Sequence, residues 1–478
     1  MPCTSVAPEL DAVGRARYVT DHLPPGLFRL AEGADSNAPW RVSPEPFPLK
    51  PATLAAIESL GDDLLAFYRA LNALYLRSAR GTAPAFIAEE LDRGKPEQIV
   101  KLARQNRFKQ EIPRVIRPDL ILTDDGYVAS ELDSVPGGMG FTNALAQTYC
   151  EIGSDSVGGP DGIAERFAAM TASTASVAHP TVAIVVSQES NDYRGEMTYL
   201  ANRVNALGLA DAIVCAPQDV VFTEEALFAR RADGREAKID VLYRNFELFD
   251  LLNVSKQELM LYAARHNRVK MTPPPKAPFE EKSTFALLHH PGLRAYWRAE
   301  LGEKIYERLL GIFPRTWIVD PRPMPWQAAI ADLYASGQPV HDWAQLEDLG
   351  KSERDYVLKP SGFSELAWGS KGVKVANDLP KDEWKKALHD ALASFDRVPY
   401  ILQRFHKGKR VRVPFLSTAA GEIKEMDGRV RLCPYYFVVG ERTELGGILA
   451  TVAPADKRLI HGMSTAIMAS CRVADDGF

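Results

Sequence analysis

The spacing of apolar residues first becomes regular at Pro51. The run TLAAIESLGDDLLAFYRALNALYLRSA places apolar side chains three and four residues apart, and the pattern continues through AFIAEELDRG and PEQIVKLARQNRF. This spacing predicts amphipathic helices. Residues 1–50 are instead rich in proline and aromatic residues, which favours an irregular segment over a helix.

Strand-like runs follow in residues 117–140, RPDLILTDDGYVASELDSVPGGMG. The runs LIL and YVA flank the turn at 123–126, and Asp-Gly between two such runs is typical of a β-hairpin. The Pro-Gly-Gly that follows ends the second strand and allows the backbone to approach a neighbour closely. After it, FTNALAQTYCEIG predicts a helix capped near Thr142.

The middle of the chain alternates between strand and helix patterns. TVAIVVS and ADAIVCAP predict strands on either side of a helix that ends at Gly208, and IDVLYR predicts a strand that carries Arg244 at its end. Strand, helix and strand in this order predict a parallel pair with a right-handed crossover. Ligands of such sheets bind beyond the carboxyl ends of the strands, which places residues 187–194 at a site. The glycine fingerprint of a dinucleotide site is missing.

The C-terminal part combines strands with a loop of small residues. RDYVLKPSGFSELAWGSKGVKV predicts a strand that ends near Lys359, the loop 361–372 and a second strand, while Lys282 stands just ahead of a helical stretch. Backbone N–H groups and hydroxyls in such a loop can bind phosphate oxygens, with a lysine as point charge. PKDEWKKALHDALASF predicts a helix, and YILQRF, RLCPYYFVV and GGILATVAP predict further strands.

Composition excludes several classes of protein. The 478 residues carry a formal net charge of −5, with 46% apolar and 25% charged residues, so a basic nucleic-acid or membrane-surface protein is not indicated. At about 150 residues per domain, two to four domains are expected. No apolar signal core or long apolar run occurs, and the scattered cysteines indicate free thiols in a reducing cytoplasm. The cysteines are Cys3, Cys150, Cys215, Cys433 and Cys471.

Three acids on the predicted hairpin are candidate metal ligands. Glu131 and Asp133 are two residues apart on one strand, so their side chains share a face, and the turn brings Asp119 near them. Three carboxylates on one surface raise one another's pKa unless a cation lies among them, and Mg²⁺ prefers oxygen ligands. The alternative is a solvated hairpin with ordinary surface acids.

The α/β unit offers weaker candidates for substrate binding. For the candidates in residues 187–194, helix capping and solvation are as good an explanation as ligand binding. Arg194 and Arg244 could each pair with a substrate carboxylate through two hydrogen bonds. His289, His290, His406 and His461 have no metal-ligand spacing. The substrate candidates are Ser187, Glu189, Asn191, Arg194 and Arg244.

The order of the motifs resembles the circularly permuted ATP-grasp families, in particular the glutathionylspermidine synthetase-like ligases. In ordinary ATP-grasp enzymes the metal-binding strands follow the hinge strand, whereas here they precede YILQRF. The family pattern is Arg-x-Asp and then Glu-x-Asn. Arg117, Asp119, Glu131 and Asp133 occupy those positions, with Asp133 in place of the asparagine, which adds a negative charge.

This resemblance implies a fold and a division into domains. The expected fold is a mixed α/β (α+β) circularly permuted ATP-grasp with an inserted Rossmann-like parallel α/β unit and an N-terminal helical segment. The expected divisions are the irregular and helical region 1–110, the metal-binding hairpin and helix 111–178, the Rossmann-like substrate domain 179–270 and the nucleotide-binding region 271–478.

The resemblance also implies an activity. It is the ADP-forming ligation of a carboxylate to an amine with ATP and Mg²⁺, through an acyl phosphate, on small substrates such as amino acids, short peptides or polyamines. Arg117 would stabilise the transferring phosphoryl group, and Asp119, Glu131 and Asp133 would bind the metal. The implied nucleotide ligands are Lys282, Lys359, Ser361, Gly362, Gly369, Gly372, Gln403, Arg404 and Phe405.

Two alternatives remain open at this point. One is a scaffold protein that keeps the fold and binds nucleotide without turnover, which would tend to have lost some of these charged residues. The other is a small-molecule kinase that stops after phosphorylation. Release of ADP and phosphate that depends on both an acid and an amine distinguishes the ligase from both.

Overall fold

A computed structural model describes most of the chain, and parts of the predicted irregular segment 1–50 and residues 368 and 370 of loop 361–372 lie outside the described residues. The described residues are 3, 9–27, 40–325, 328–367, 369, 371–462 and 464–478. Their helices are α1 Ala12–His22, α2 Pro51–Ala79, α3 Phe86–Asp92, α4 Glu97–Ala103, α5 Met139–Glu151, α6 Gly162–Ala175, α7 Arg194–Ala206, α8 Gln257–Arg265, α9 Thr284–His289, α10 Arg294–Leu301, α11 Glu303–Ile312 and α12 Lys381–Ala393.

The strands form a mixed α/β architecture with several sheets. They are β1 Phe47–Leu49, β2 Val115–Thr123, β3 Gly126–Asp133, β4 Thr181–Val186, β5 Asp211–Cys215, β6 Val220–Phe222, β7 Leu227–Arg230, β8 Glu236–Lys238, β9 Val241–Asn245, β10 Lys270–Thr272, β11 Thr316–Ile318, β12 Tyr334–Ala335, β13 Gln338–Pro339, β14 Tyr356–Pro360, β15 Lys374–Val375, β16 Tyr400–Arg404, β17 Arg410–Ser417, β18 Glu422–Val439, β19 Arg442–Pro454 and β20 Ile467–Val473.

The largest sheet runs in the order β1-β20-β19-β18-β2-β3, and β17 pairs with β18 as well. The predicted hairpin is confirmed, because β2 and β3 pair in antiparallel register. Side chains of β18 alternate between two cores. Leu432 and Tyr436 pack in the core that includes α2, α10 and α11, whereas Cys433, Tyr435 and Phe437 pack in the core that includes α5, α6 and α7. Helices therefore cover both faces of this sheet.

The predicted parallel α/β unit is confirmed. Strands β10, β9, β4 and β5 form a sheet in that order, and every pair in it is parallel. All five residues of β9 are buried, as are five of the six residues of β4, as expected for strands covered on both faces. The crossover helix α7 begins at Arg194, and residues 191–193 form a 3-10 turn before it.

A third, antiparallel sheet carries the predicted strands YVLKP and YILQRF. Its order is β11-β16-β14-β15, and Lys359 of β14 pairs with Ile401 of β16. Helix α12 covers it through the buried residues Trp384 and Leu388.

Two predictions about helices are wrong. Residues 12–22 form α1, whose first turn is capped by the Asp11 side chain accepting a hydrogen bond from Gly14 N, although this region was expected to be irregular. Helix α5 begins at Met139 with Gly138 at its N-cap, where φ is 90°. Thr142 therefore lies inside the helix, and its hydroxyl donates to the carbonyl of Gly138.

The prediction of five free thiols is also wrong. Cys3 and Cys150 form a disulfide, while Cys215, Cys433 and Cys471 are free and buried. This pairing removes the support that free thiols gave to a cytoplasmic location. Within the described ranges, no helix has both the length and the apolar character needed to cross a bilayer.

Candidate active site

Four charged side chains share one face of the β2–β3 hairpin. Arg117 lies opposite Asp133, and Asp119 lies opposite Glu131. Residues that face each other across an antiparallel pair point to the same side, and so do residues two apart on one strand. The hairpin thus brings together the acids that the sequence predicted as a group.

Arginines, rather than other acids, surround Asp119. Arg117 Nε lies 3.1 Å from Asp119 Oδ1, and Arg431 Nη1 of β18 lies 2.8 Å from Asp119 Oδ2. Burial alone would raise the pKa of Asp119, but Arg117 and Arg431 outweigh it and hold that pKa below its ordinary value. Asp119 is therefore a buried carboxylate that stays ionised.

At Asp133, unlike Asp119, the groups that raise the pKa outweigh the arginine that lowers it. Arg117 Nη2 lies 2.9 Å from its Oδ2, yet burial together with Glu131 raises the pKa of Asp133 above its ordinary value. Asp133, which stands where the resembling ligases have asparagine, is therefore a carboxyl that protonates more easily than an ordinary aspartate. A proton or a cation at this position would relieve the repulsion between Asp133 and Glu131.

Two lysines from other elements reach the hairpin. Lys282 Nζ lies 3.5 Å from Glu131 Oε2 and donates to the carbonyl of Ala367, while Lys359 Nζ donates to the carbonyl of Ser130 at 2.8 Å. Burial lowers the pKa of Lys359 to about 8. Burial also disfavours the charged form of Lys282, but Glu131 and Glu247 outweigh it and raise its pKa.

These groups line a cavity of about 450 Å³ between the three sheets. The hairpin forms one wall, and the segments after β4 and β9 of the parallel sheet contribute Glu189, Tyr193 and Glu247. The end of β16 contributes Gln403 and Arg404. The carboxyl ends of the parallel strands thus face the same cavity as the lysines and arginines.

The cavity wall contains most of the residues predicted from the sequence to bind metal or nucleotide, but few of those predicted to bind substrate. It includes Arg117, Asp119, Glu131, Asp133, Glu189, Lys282, Lys359, Gly369, Gln403, Arg404 and Phe405. It does not include Ser187, Asn191, Arg194, Arg244, Ser361, Gly362 or Gly372. Residues 368 and 370 of the predicted phosphate loop lie outside the described residues.

The structure gives several of the remaining residues other partners. Arg244 is buried and its Nη2 lies 2.6 Å from Glu280 Oε1, so its charge is already balanced inside the protein. Arg194 donates to the carbonyl of Val186 and to Asn191 Oδ1. Ser187 is buried, and its hydroxyl accepts a hydrogen bond from the backbone N–H of residue 190.

Two of the three glycines predicted to bind the nucleotide are needed for packing. A Cβ at Gly362 would lie 2.4 Å from the carbonyl oxygen of Glu280, and one at Gly372 would lie 2.6 Å from Pro360. Ser361 is fully buried, and its hydroxyl donates to Glu281. These three residues join neighbouring segments beneath the cavity wall.

The acids suit a divalent ion that arrives with phosphates better than a preformed metal cage. Among the described residues, no group of three or more His, Cys, Asp or Glu side chains is arranged to hold a metal ion. Mg²⁺ at phosphate sites usually keeps several waters and takes one or two carboxylates. Glu131 and Asp133 retain side-chain exposures of 30% and 21%, whereas Asp119 is enclosed by arginines. Their oxygen donors fit Mg²⁺, and the metal role of the three acids stays a prediction.

Several residues of the cavity were not predicted. Arg431 and Glu247 are the most important, and His406 and His461 also line the wall although their spacing gave no reason to select them. The rule that selected residues 187–194 after one parallel strand also applies to FELFD after β9, so Glu247 could have been found. Nothing local marks Arg431, which reaches the site only because β18 pairs with β2.

Glu247 belongs to an acidic part of the cavity. Burial raises its pKa to about 8, with Glu280 and Asp133 adding to the effect. Asp250 and Glu189 also line this region. The cavity therefore has a cationic wall around Asp119 and an acidic wall at the end of the parallel sheet.

Pro-Gly-Gly joins the two walls. A Cβ at Gly137 would lie 2.2 Å from the Tyr193 ring, so only glycine fits there. The carbonyl of Gly137 accepts hydrogen bonds from Arg117 Nη1 at 3.1 Å and from Tyr435 Oη at 2.9 Å. The close approach predicted from these glycines is thus an approach to the parallel α/β unit.

A solved structure has a similar fold along nearly the whole chain. It is a glutathione synthetase-like effector of Globodera pallida in its apo form, which matches with a TM-score of 0.59 and 13% sequence identity over 98% of each chain. The chain is therefore similar in fold to that protein. At this identity the similarity concerns the fold alone.

Other comparisons add little. A chain from Methylobacillus flagellatus KT with a provisional gamma-glutamylcysteine synthetase assignment matches with a TM-score of 0.39 and 11% identity, over 79% of this chain and 85% of that one. That score is too low to support an argument. No protein family model and no curated protein matches the sequence.

Proposed function

We propose that the protein is an ATP- and Mg²⁺-dependent ligase that joins a carboxylate to an amine, built on a circularly permuted ATP-grasp fold. The observation that carries the proposal is the convergence of Lys282, Lys359, Arg117 and Arg431 on the hairpin carboxylates within one cavity. Such a set of fixed cations beside acids is what binding and transfer of a phosphoryl group require. The similarity in fold to a glutathione synthetase-like protein supports the same class of reaction.

The cationic wall would hold the phosphates. Arg431 Nε is buried and has no hydrogen-bond partner among the described residues, which supports a role for this arginine in binding an anion, with Arg117 beside it in the same wall. Lys282 and Lys359 would contact the phosphate chain as point charges, and residues 403–405 would line the adenine. Glu131 and Asp133 would hold Mg²⁺, which would neutralise part of the phosphate charge, while Asp119, the third predicted ligand, is already paired with Arg117 and Arg431.

The chemistry proceeds without a covalent enzyme intermediate. An oxygen of the substrate carboxylate attacks the γ-phosphorus, ADP leaves, and an acyl phosphate forms. The amine nitrogen then attacks the acyl carbon, the C–N bond forms, and inorganic phosphate leaves. Arg117 stabilises the negative charge on the oxygens of the transferring phosphoryl group.

The acidic wall would receive the amine. Asp250 and Glu189 attract an ammonium group, and the ionised fraction of Glu247 can accept a proton from it, because a pKa of about 8 lies near the operating pH. This assignment moves the predicted substrate site from the region of Arg194 and Arg244 to the segment after β9. Of the substrate residues predicted from the sequence, it keeps Glu189.

A phosphate-release screen tests the proposal. The protein is incubated with ATP and Mg²⁺ against pairs of acids and amines drawn from amino acids, short peptides and polyamines. We expect release of ADP and phosphate only when both an acid and an amine are present. Lys359→Met should reduce turnover at least about 100-fold, because it removes a phosphate-binding charge. Lys374→Met on the neighbouring strand, where the lysine is exposed, should leave turnover unchanged.

Other outcomes identify the alternatives. Phosphorylation of an acid without any amine dependence would indicate a kinase. ATP binding without turnover across the screen would indicate a scaffold. Equal turnover in Lys359→Met and wild type would show that the assigned cavity is not the site.

A further inference from the structure

Lys95, in the turn between α3 and α4, lies next to the segments that carry the two phosphate-binding lysines. We propose that Lys95 is a positioning residue that holds Lys282 and Lys359 in register through Glu281 and Ser361. The inference rests on the proposed function, and it gives the N-terminal helical region a part in nucleotide binding.

The first contact is an ion pair sealed from solvent. Lys95 Nζ lies 2.6 Å from Glu281 Oε1, and each side chain is only 1% exposed. Two charges are taken out of water only where each is compensated by the other and by hydrogen bonds. Glu281 directly precedes Lys282 in the chain, so the pair anchors the backbone from which the Lys282 side chain extends.

The second contact connects this anchor to the strand of Lys359. The other carboxylate oxygen of Glu281 accepts a hydrogen bond from the hydroxyl of Ser361, which lies two residues after Lys359. Ser361 Oγ in turn accepts from Ser283 N at 3.0 Å, and Ser361 O accepts from Lys282 N at 2.8 Å. Ser361 is fully buried, so water does not compete for these bonds. The segments that carry Lys282 and Lys359 are thus joined by one buried cluster of hydrogen bonds, and the ion pair from Lys95 to Glu281 is part of it.

The turn that carries Lys95 is itself fixed. Arg93 Nη1 lies 3.2 Å from Asp396, and the Arg93 guanidinium lies 4.1 Å from the centre of the Phe395 ring. A Cβ at Gly94 would lie 2.1 Å from the carbonyl oxygen of Arg397, so the turn packs against the segment between α12 and β16 with no space left. The two residues before Lys95 therefore fix the position of the turn that carries it.

Removing the Lys95 charge would leave Glu281 buried and unpaired. A buried carboxylate without a partner strongly destabilises the folded protein unless another cation pairs with it. The adjacent Lys282 already interacts electrostatically with Glu281. We expect Lys282 to turn toward Glu281 and away from the cavity, which would weaken binding of phosphates more than binding of a nucleoside.

The test compares ATP and adenosine binding to the full-length protein by isothermal titration calorimetry in the presence of Mg²⁺. Lys95→Met should weaken ATP binding about tenfold or more and leave the affinity for adenosine within about twofold of wild type. A purely structural role would weaken both ligands together. Lys101→Met is the control, since Lys101 lies on α4 and forms an exposed pair with Glu97.

Removing both charges of the Lys95–Glu281 ion pair provides an independent test. The double variant Lys95→Met/Glu281→Gln has no buried unpaired charge at this point, so it should recover ATP affinity to within about threefold of wild type. If Lys95→Met alone does not fold, the double variant still tests the role of Lys95. A double variant that folds but binds ATP about tenfold more weakly would overturn the inference, as would Lys95→Met with wild-type ATP affinity. A wild-type protein that binds no ATP would instead overturn the proposed function, and the inference with it.

Discussion

Asp119 and Arg431 are in contact although 312 residues separate them in the chain. Asp119 is the only acid of the hairpin whose pKa falls despite burial, because two guanidinium groups flank it. Arg431 Nε is also buried and has no hydrogen-bond partner in the described part of the chain. Asp119 thus holds two guanidinium groups in the cavity wall, where the proposed phosphate site lies.

This arrangement predicts the effect of Arg431→Met. The change removes one of the four positive charges that converge on the hairpin carboxylates in the cavity, and we expect kcat/KM for ATP to fall about 100-fold in steady-state assays. Arg410→Met is a matched control, because Arg410 lies on the neighbouring strand β17 and is paired at the surface with Asp427. An unchanged KM and kcat in Arg431→Met, in a protein with normal circular dichroism, would contradict the role.

At the residue scale, the spacing of charged residues in the sequence was enough to predict the group that lies on the β2–β3 hairpin. Arg117, Asp119, Glu131 and Asp133 are brought to one face by local geometry, so period-two reasoning was sufficient. Arg431 depends on which strand pairs with β2, and local sequence does not determine such a non-local pairing. The buried partner of Arg244, Glu280, escaped prediction for the same reason.

Helix α7 connects the parallel unit to the hairpin through Glu196. Its carboxylate accepts hydrogen bonds from Gly138 N at 2.6 Å and Phe141 N at 3.2 Å, at the start of α5. Burial raises the pKa of Glu196 to about 7 from the ordinary value of 4.5, although the backbone N–H groups oppose the shift. The contact between the two elements is therefore sensitive to pH.

The sign of this effect follows from linkage. The folded pKa lies above the unfolded value, so the stability contributed by protonated Glu196 is complete below about pH 4.5 and is lost as the pH rises through 7. Relative to Glu196→Gln, the wild-type free energy of unfolding should fall by about 2–3 kcal/mol between pH 5 and 8 in urea titrations. Parallel pH profiles of the two proteins would contradict the prediction.

Elements with strong periodicity were predictable, and those fixed by their surroundings were not. Helix α2 and the parallel strands form where the sequence predicts them. The apolar stripe of α2 and the β-branched runs of the strands are long enough to mark the faces that become buried. Helix α1 buries only Ala16 and Val19, too few apolar positions to produce a recognisable stripe. The N-cap of α5 is set by Gly138, which lies close to Tyr435 and Leu449.

On the scale of the whole molecule, the disulfide connects distant parts of the sequence. Cys3 and Cys150 are 147 residues apart, and Cys150 lies in α5 against the large sheet. A link over so long a segment restricts the unfolded chain, and disulfides typically contribute 2–4 kcal/mol. Denatured protein should show three titratable thiols without reductant and five after reduction.

Reduction should also lower the free energy of unfolding by about 2–4 kcal/mol in wild type, as followed in urea titrations with and without dithiothreitol. Cys3→Ser is the control and should be insensitive to reductant. Five thiols in the unreduced protein would show that the bond does not form.

The overall mixed α/β class could be predicted from the alternation of strand and helix patterns, and the similar solved fold agrees with it. The large sheet could not, since it pairs β1 with β20 and places β2 beside β18. These pairings join the beginning and the end of the sequence, and the free energy of such long-range contacts depends on packing that local propensity does not report.

The bond from Lys359 to the carbonyl of Ser130 has a consequence for ligand affinity. Lys359 already donates to a backbone carbonyl, and each arginine is already paired with Asp119. Wherever a phosphate displaces one of these internal contacts, only the surplus over that contact contributes to its affinity. Discrimination among anions would then depend on geometry, because an anion that matches the positions of the displaced oxygens loses least in the exchange.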